Sequence, residues 1–134
     1  MDFNDYQTGT NATNLYSDAI GQMLAPIYKA VYDDDDALKA LENVEDVLNV
    51  CYPLLGYVGE VAELANKFKK VLRGDRSLGE FVELSFDEQG DCLYYAAQLA
   101  EQTGNELEDI AKANNRKLSD RMNRGVIKGD GDNR

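Results

Sequence analysis

The feature that most constrains this chain is its periodicity. Apolar residues recur at helical spacing almost throughout, no β-type alternation of useful length occurs, and only two prolines interrupt the pattern. An all-α domain of four or five helices is therefore expected. A short polar segment covers about 4–14. A second helix, NLYSDAIGQMLAPIYKAVY, places Leu15, Ile20, Leu24, Ile27 and Val31 on one side, and Pro26 is expected to break or kink it. Four aspartates at 33–36 read as an exposed N-cap and first turn, where acids favour the positive end of the helix dipole. The helix they open leads to Cys51, Tyr52 and Pro53, and a new or kinked helix is expected from about 54 to 72. Residues 74–84 read as a connection. Ser85 is expected to start the next helix, and Asn105 with Glu108 to open the last through a capping box. No internal repeat with a clean period is apparent.

At 134 residues the chain has the length of one domain, 1–134, with 125–134 too rich in glycine and charge for regular structure. No stretch reaches the roughly 18 apolar residues of a membrane span, so no membrane partner is expected. The acidic, polar opening does not read as a targeting peptide. Histidine is absent, and Cys51 and Cys92 stand far apart, so a zinc site is not expected and the cysteines read as reduced core residues. These features point to a cytoplasmic protein, or to the host cytoplasm if the chain is phage-encoded. The net charge of −11 argues against a nucleic-acid partner. It is unevenly spread: 19 acids and 7 bases in 1–103 give −12, and 6 acids and 7 bases in 104–134 give +1.

Two carboxylate pairs carry the chemistry. Glu60 and Glu63 lie three residues apart, about 60° apart on a helix, beside an apolar stripe of Val61, Leu64, Ala65, Phe68, Val71 and Leu72. Glu63 also stands four residues before Lys67, the favourable order for a surface ion pair. Glu88 and Asp91 repeat the three-residue spacing. A capping box from Ser85 would account for Glu88 but not for Asp91, which sits in an apolar stretch beside Cys92 and Leu93. A carboxylate placed there calls for a partner, and a hard cation is one. If the two helices pack together, four carboxylates converge, a donor set that suits Mg²⁺, with Mn²⁺ a possible substitute. On the last helix Asn114, Lys117 and Arg121 share one face, continued by Arg124; cations there can meet phosphate oxygens or complement the helix dipole.

The stretches GYVGEVAELANKFKK, DEQGDCLYYAAQLA and NNRKLSDRMNRGVIKGDGDNR, with the opening DFNDYQTGTNAT, resemble the MazG-like all-α nucleotide pyrophosphohydrolases, in particular small, phage-type members. The family pattern is ExxE, a spacer, then ExxD; Glu60 and Glu63 followed by Glu88 and Asp91 match it across the 24 residues 64–87. The resemblance implies a helical bundle that forms a homodimer or homotetramer and hydrolyses a nucleoside triphosphate to the monophosphate and pyrophosphate. It further implies that Glu60, Glu63, Glu88 and Asp91 bind magnesium, with Glu60 or Glu63 as catalytic base, and that Asn114, Lys117 and Arg121 meet the substrate. Family members often carry a tryptophan in or beside these helices. This chain has none, and Tyr94 and Tyr95 fall in its place, with Tyr95 taken as the substrate-binding aromatic. Two other functions fit the same residues: a non-catalytic acidic interaction protein, and a pyrophosphatase dedicated to dUTP or dCTP.

Overall fold

The computed structural model describes residues 1–128; the rest of the glycine-rich tail expected at 125–134 lies outside the described residues. Five α-helices make up the described chain: α1 Phe3–Asn11, α2 Tyr16–Ala30, α3 Asp35–Leu72, α4 Leu78–Gln102 and α5 Leu107–Asn123. No strand is present among these residues, so the all-α expectation holds.

Local capping chemistry explains most of the boundaries. The Asp2 side chain accepts from the Asp5 amide while Asp5 returns the bond, which closes a capping box on α1. Asp34 caps α3 by accepting from the Ala37 amide, and Asp35 and Asp36 occupy its first turn, as the acidic run implied. The segment 74–84 departs from expectation. Ser77 and Glu80 form the capping box that starts α4 at Leu78, seven residues earlier than Ser85. Ser85 is instead buried in mid-helix, its hydroxyl donating to the Val82 carbonyl, so Glu88 has no capping role. Pro53 does not divide α3 either. One helix of 38 residues, about 57 Å long at 1.5 Å per residue, runs through it with Pro53 buried. Pro26 likewise sits inside α2. One missing amide per proline is a local loss that flanking packing overrides.

The α3/α4 hairpin is the spine, and its closest approach depends on a glycine. A Cβ on Gly56 would lie 2.3 Å from Cε1 of Tyr95. Only a residue without one lets the tyrosine ring lie against the α3 backbone. Helix α2 packs along the first half of α3, where Tyr28 donates to Glu45 at 2.7 Å. Helix α1 joins α4 through a buried polar network: Gln98 donates to Thr10 at 2.7 Å and accepts from Tyr16 at 3.4 Å.

Helix α5 starts differently from the sequence reading. Its N-cap is Glu106, without a side-chain cap, and Asn105 turns back to Thr103. The Leu107 amide donates at 2.7 Å to the side-chain carbonyl of Gln7, and the Gln7 amide donates to the Asn105 carbonyl. Helix α1 therefore caps α5. The fully packed apolar cluster is small: Ala97, Ala100 and Leu107, flanked by Tyr6 and Leu93. Long stretches of apolar surface on α3 stay exposed, including the expected core residues Val61, Phe68 and Leu72. No helix of the described residues is long and apolar enough to cross a membrane.

Candidate metal centre

Glu60 on α3 and Glu88 with Asp91 on α4 come together where the two helices run side by side. Each offers a carboxylate oxygen, and these three oxygens lie within 4.8 Å of one another. Glu88 is buried at 8% exposure, Glu60 is half-buried and Asp91 is exposed. The sequence reading assigned the cost of an unpartnered carboxylate to Asp91, but the structure assigns burial to Glu88. The i,i+3 spacing still brings both residues to the same side of α4, one turn apart.

Lys67 supplies the charge that Glu88 requires. Its Nζ donates to Glu88 Oε1 across the helix pair rather than pairing with Glu63 along α3. Both side chains are mostly shielded from water, so removing one partner leaves an uncompensated charge and costs more than loss of the surface bridge expected with Glu63. Glu63 is exposed, lies outside the triad and faces a separate hollow with Ala62, Ala65, Asn66 and Lys69.

Several side chains register the concentrated negative charge. Partial burial raises the Glu60 pKa, reinforced by Asp91 and Glu63 and opposed by Lys67. Burial also raises the Cys92 thiol, followed by the charges of Glu60 and Asp91, so Cys92 is a protonated, half-buried thiol rather than a ligand. Tyr6 is raised by burial and then by Asp91, and Tyr95 by burial, then by Tyr52 and Glu60, with smaller effects of Tyr94 and Asp91. Elements α1, α3 and α4 thus share one field centred on Glu60 and Asp91. Three all-oxygen, hard donors in that field fit Mg²⁺ or Mn²⁺ and fit a thiophilic metal poorly.

A cavity of about 380 Å³ opens beside the triad between α2, α3 and α4. Tyr16, Tyr52, Tyr94 and Tyr95 line it with Thr13, Leu15 and Ala19. Tyr16 and Tyr52 stack with centroids 4.4 Å apart, and Tyr94 meets Tyr95 edge-on. The sequence reading identified Tyr95 and noted Tyr94, but missed Tyr16 and Tyr52. Only tertiary packing joins these two to the cleft, and no local spacing signals it. On α5, Asn114 and Lys117 are exposed, whereas Arg121 is buried at 5% exposure. Arg124 pairs with Asp120 along the helix. A further cavity of about 380 Å³ lies between α1 and α5, lined by Phe3, Tyr6, Leu93 and Ala111; like the tyrosine cleft, it has none of the three carboxylates in its wall.

These features define a class: an all-helical bundle with a carboxylate triad across its central hairpin and an aromatic cleft beside it. The chain is 37% identical over 116 residues to the Gene 37 protein of Mycobacterium phage L5. That alignment covers 84% of this chain and all of the phage protein, so the chain belongs to the family of that protein. No family profile matches the chain, and no solved structure matches it.

Proposed function

We propose that this protein is a magnesium-dependent nucleotide pyrophosphohydrolase that converts a nucleoside triphosphate, ribo or deoxy, to its monophosphate and pyrophosphate. The observation that carries the reading is the convergence of Glu60, Glu88 and Asp91 from two separate ExxE/D segments onto one volume. Mg²⁺ held by these carboxylates would neutralise triphosphate charge and acidify a bound water. The chain's own residues supply the remaining parts. Of the two candidate bases Glu60 lies in the triad, whereas Glu63 is exposed on a separate hollow; Glu60 takes the proton as water oxygen bonds to the α-phosphorus. The bond from the α-phosphorus to the bridging oxygen breaks, and pyrophosphate leaves with both electrons of that bond. Lys67, already between the helices at Glu88, neutralises charge on the departing group, with exposed Lys117 of α5 as a further cation, whereas Arg121 is buried and so is not assigned to the substrate.

The base enters the tyrosine cleft and stacks there, with Tyr95 nearest the carboxylates. An aromatic wall of this kind is tolerant of base identity. That favours broad activity over a dedicated dUTP or dCTP enzyme. The proposed assembly is a homodimer or homotetramer.

Asp91→Asn tests the reading. It removes one anionic ligand from an exposed position, so the fold persists while turnover falls to background. Hydrolysis in ¹⁸O-labelled water by the unaltered protein should place the label in the monophosphate. Near-normal pyrophosphate release by the variant, or label in the pyrophosphate, overturns the mechanism.

A further inference from the structure

Helix α3 carries two faces. Towards its neighbours in the chain it presents Glu45 to Tyr28, Gly56 to Tyr95, Glu60 to the triad and Lys67 to Glu88. At 100° per residue, the opposite face holds Val44, Val47, Cys51, Leu54, Val58, Val61, Ala65, Phe68 and Leu72. Their spacing alternates three and four without a break over four heptads, the a/d pattern of a helix that packs lengthwise against another helix. Most of the seam is exposed in this chain: Val47 is 60% exposed, Val58 59% and Leu72 75%, and Leu55 alongside is 70% exposed, while Cys51 is half-buried and Phe68, at the edge of the seam, meets Phe81 of α4 edge-on. The 28 steps from Val44 to Leu72 make a strip about 42 Å long and ~10 Å wide, roughly 400 Å². That is about half of the ~800 Å² per partner of a standard interface, and α4 carries further exposed apolar residues in Leu78, Val82 and Phe86.

We propose that this seam is the dimer interface, with α3 of a second copy packed antiparallel across it and the two-fold axis at the Leu54–Val58 level. Three observations select that occupant and direction. First, reversing the seam on itself about this centre pairs every a position with a d position. It also matches large with small: Phe68 with Val44, Ala65 with Val47, and Leu72 with the exposed Ala40. Second, charge is segregated along α3. Aspartates occupy 33–36 at its start, and Lys69, Lys70 and Arg76 lie at or just beyond its end. Antiparallel pairing brings the aspartate start of α3 in one copy towards the Lys69–Lys70 end of the other, at the cost of facing Lys39 with Arg73, whereas parallel pairing sets the whole aspartate runs together. Third, a self-matching surface closes under two-fold symmetry without leaving an open end. The aspartate run, a local cap within one chain, thereby gains a role as a register-setting charge between chains. The proposal is independent of the pyrophosphohydrolase reading.

Sedimentation equilibrium of the full chain should give a dimer, and Val58→Asp should weaken association by about 100-fold or more because it buries an unpaired charge in each copy. Circular dichroism with the α3 helix content retained shows that the variant still folds; Leu54→Asp is the second such variant. Direction is read by oxidative cross-linking in a Cys92→Ser background. Val61→Cys should give a disulfide between Cys51 of one copy and position 61 of the other, while the parent forms none through Cys51. A wild-type monomer at 100-fold above the protein concentration of ordinary assays (about 100 μM) overturns the proposal. So does a Val58→Asp dimer of unchanged affinity. A Cys51–Cys51 cross-link overturns the antiparallel direction.

Discussion

Gly56→Ala isolates the contact on which the α3/α4 approach depends. In a helix interior, replacing glycine by alanine ordinarily stabilises by about 1 kcal/mol. At Gly56 the new Cβ would stand 2.3, 2.4 and 2.6 Å from Cε1, Cζ and Cδ1 of Tyr95. Carbon atoms rest about 3.5–4.0 Å apart, so the ring or the helix must retreat by more than ~1 Å. Overpacking of that size costs about 1–3 kcal/mol against a propensity gain of about 1 kcal/mol, for a net loss of up to roughly 2 kcal/mol. In a domain of this size that lowers Tm by up to about 8 °C, where an unhindered glycine-to-alanine change raises it. Gly59 and Gly90 supply the comparison, since a Cβ at either meets nothing within 4 Å. Gly59→Ala and Gly90→Ala should raise Tm in the same melts, followed by circular dichroism at 222 nm. The cost at Gly56 should largely vanish in a Tyr95→Ala background. Equal behaviour of the Gly56 and Gly59 variants, or persistence of the cost without Tyr95, would refute the steric argument.

The remaining predictions concern the charges and the α1–α5 contact. Lys67→Met leaves Glu88 buried without its cation and should cost about 2–3 kcal/mol, somewhat below the loss for a fully buried pair. Added Mg²⁺ should restore more stability to that variant than to the parent, measured by thermal shift. Burial first, then Asp91, raises the Glu60 pKa above its ordinary value of 4.5. The folded state therefore holds that proton more tightly, and ionisation of Glu60 lowers stability as pH rises from about 4.5 through the folded value. Glu60→Gln should accordingly raise Tm at pH 7 and lose that advantage below pH ~4.5. A variant less stable than the parent at pH 7 contradicts this. Gln7→Ala removes the bond that caps α5 and should cost about 1–3 kcal/mol, seen as faster hydrogen exchange at the Leu107 amide. Unchanged exchange there rules out α1 as the cap.

Helical class and the pairing of two carboxylate segments were legible because both follow from short-range spacing. Asp34 as an N-cap was legible for the same reason. Boundaries were less so where two local signals competed. Ser77 with Glu80 and Ser85 with Glu88 have identical spacing, and only the structure shows that the first pair forms the box. Pro53 marked a break by its chemistry, yet α3 passes through it because packing outweighs one lost hydrogen bond. Asn105 looked like a cap because Gln7, far away in sequence, could not be seen to do the work. The Lys67–Glu88 pair was likewise hidden behind the nearer Glu63. The α3 seam is instructive in a different way. Its Val61 and Leu72 looked like core because a single chain's sequence does not say which apolar face meets its own helices, whereas Phe68 at the edge does reach Phe81 of α4.

The central claim is that a carboxylate triad serves triphosphate hydrolysis, and product analysis tests it most directly. The protein is incubated with a panel of ribo- and deoxynucleoside triphosphates, with Mg²⁺ or with EDTA, and the products are separated by ion-exchange chromatography. The account predicts monophosphate and pyrophosphate in equal amounts with Mg²⁺ and neither with EDTA. Diphosphate and inorganic phosphate, or no metal-dependent product from any nucleotide, would contradict it.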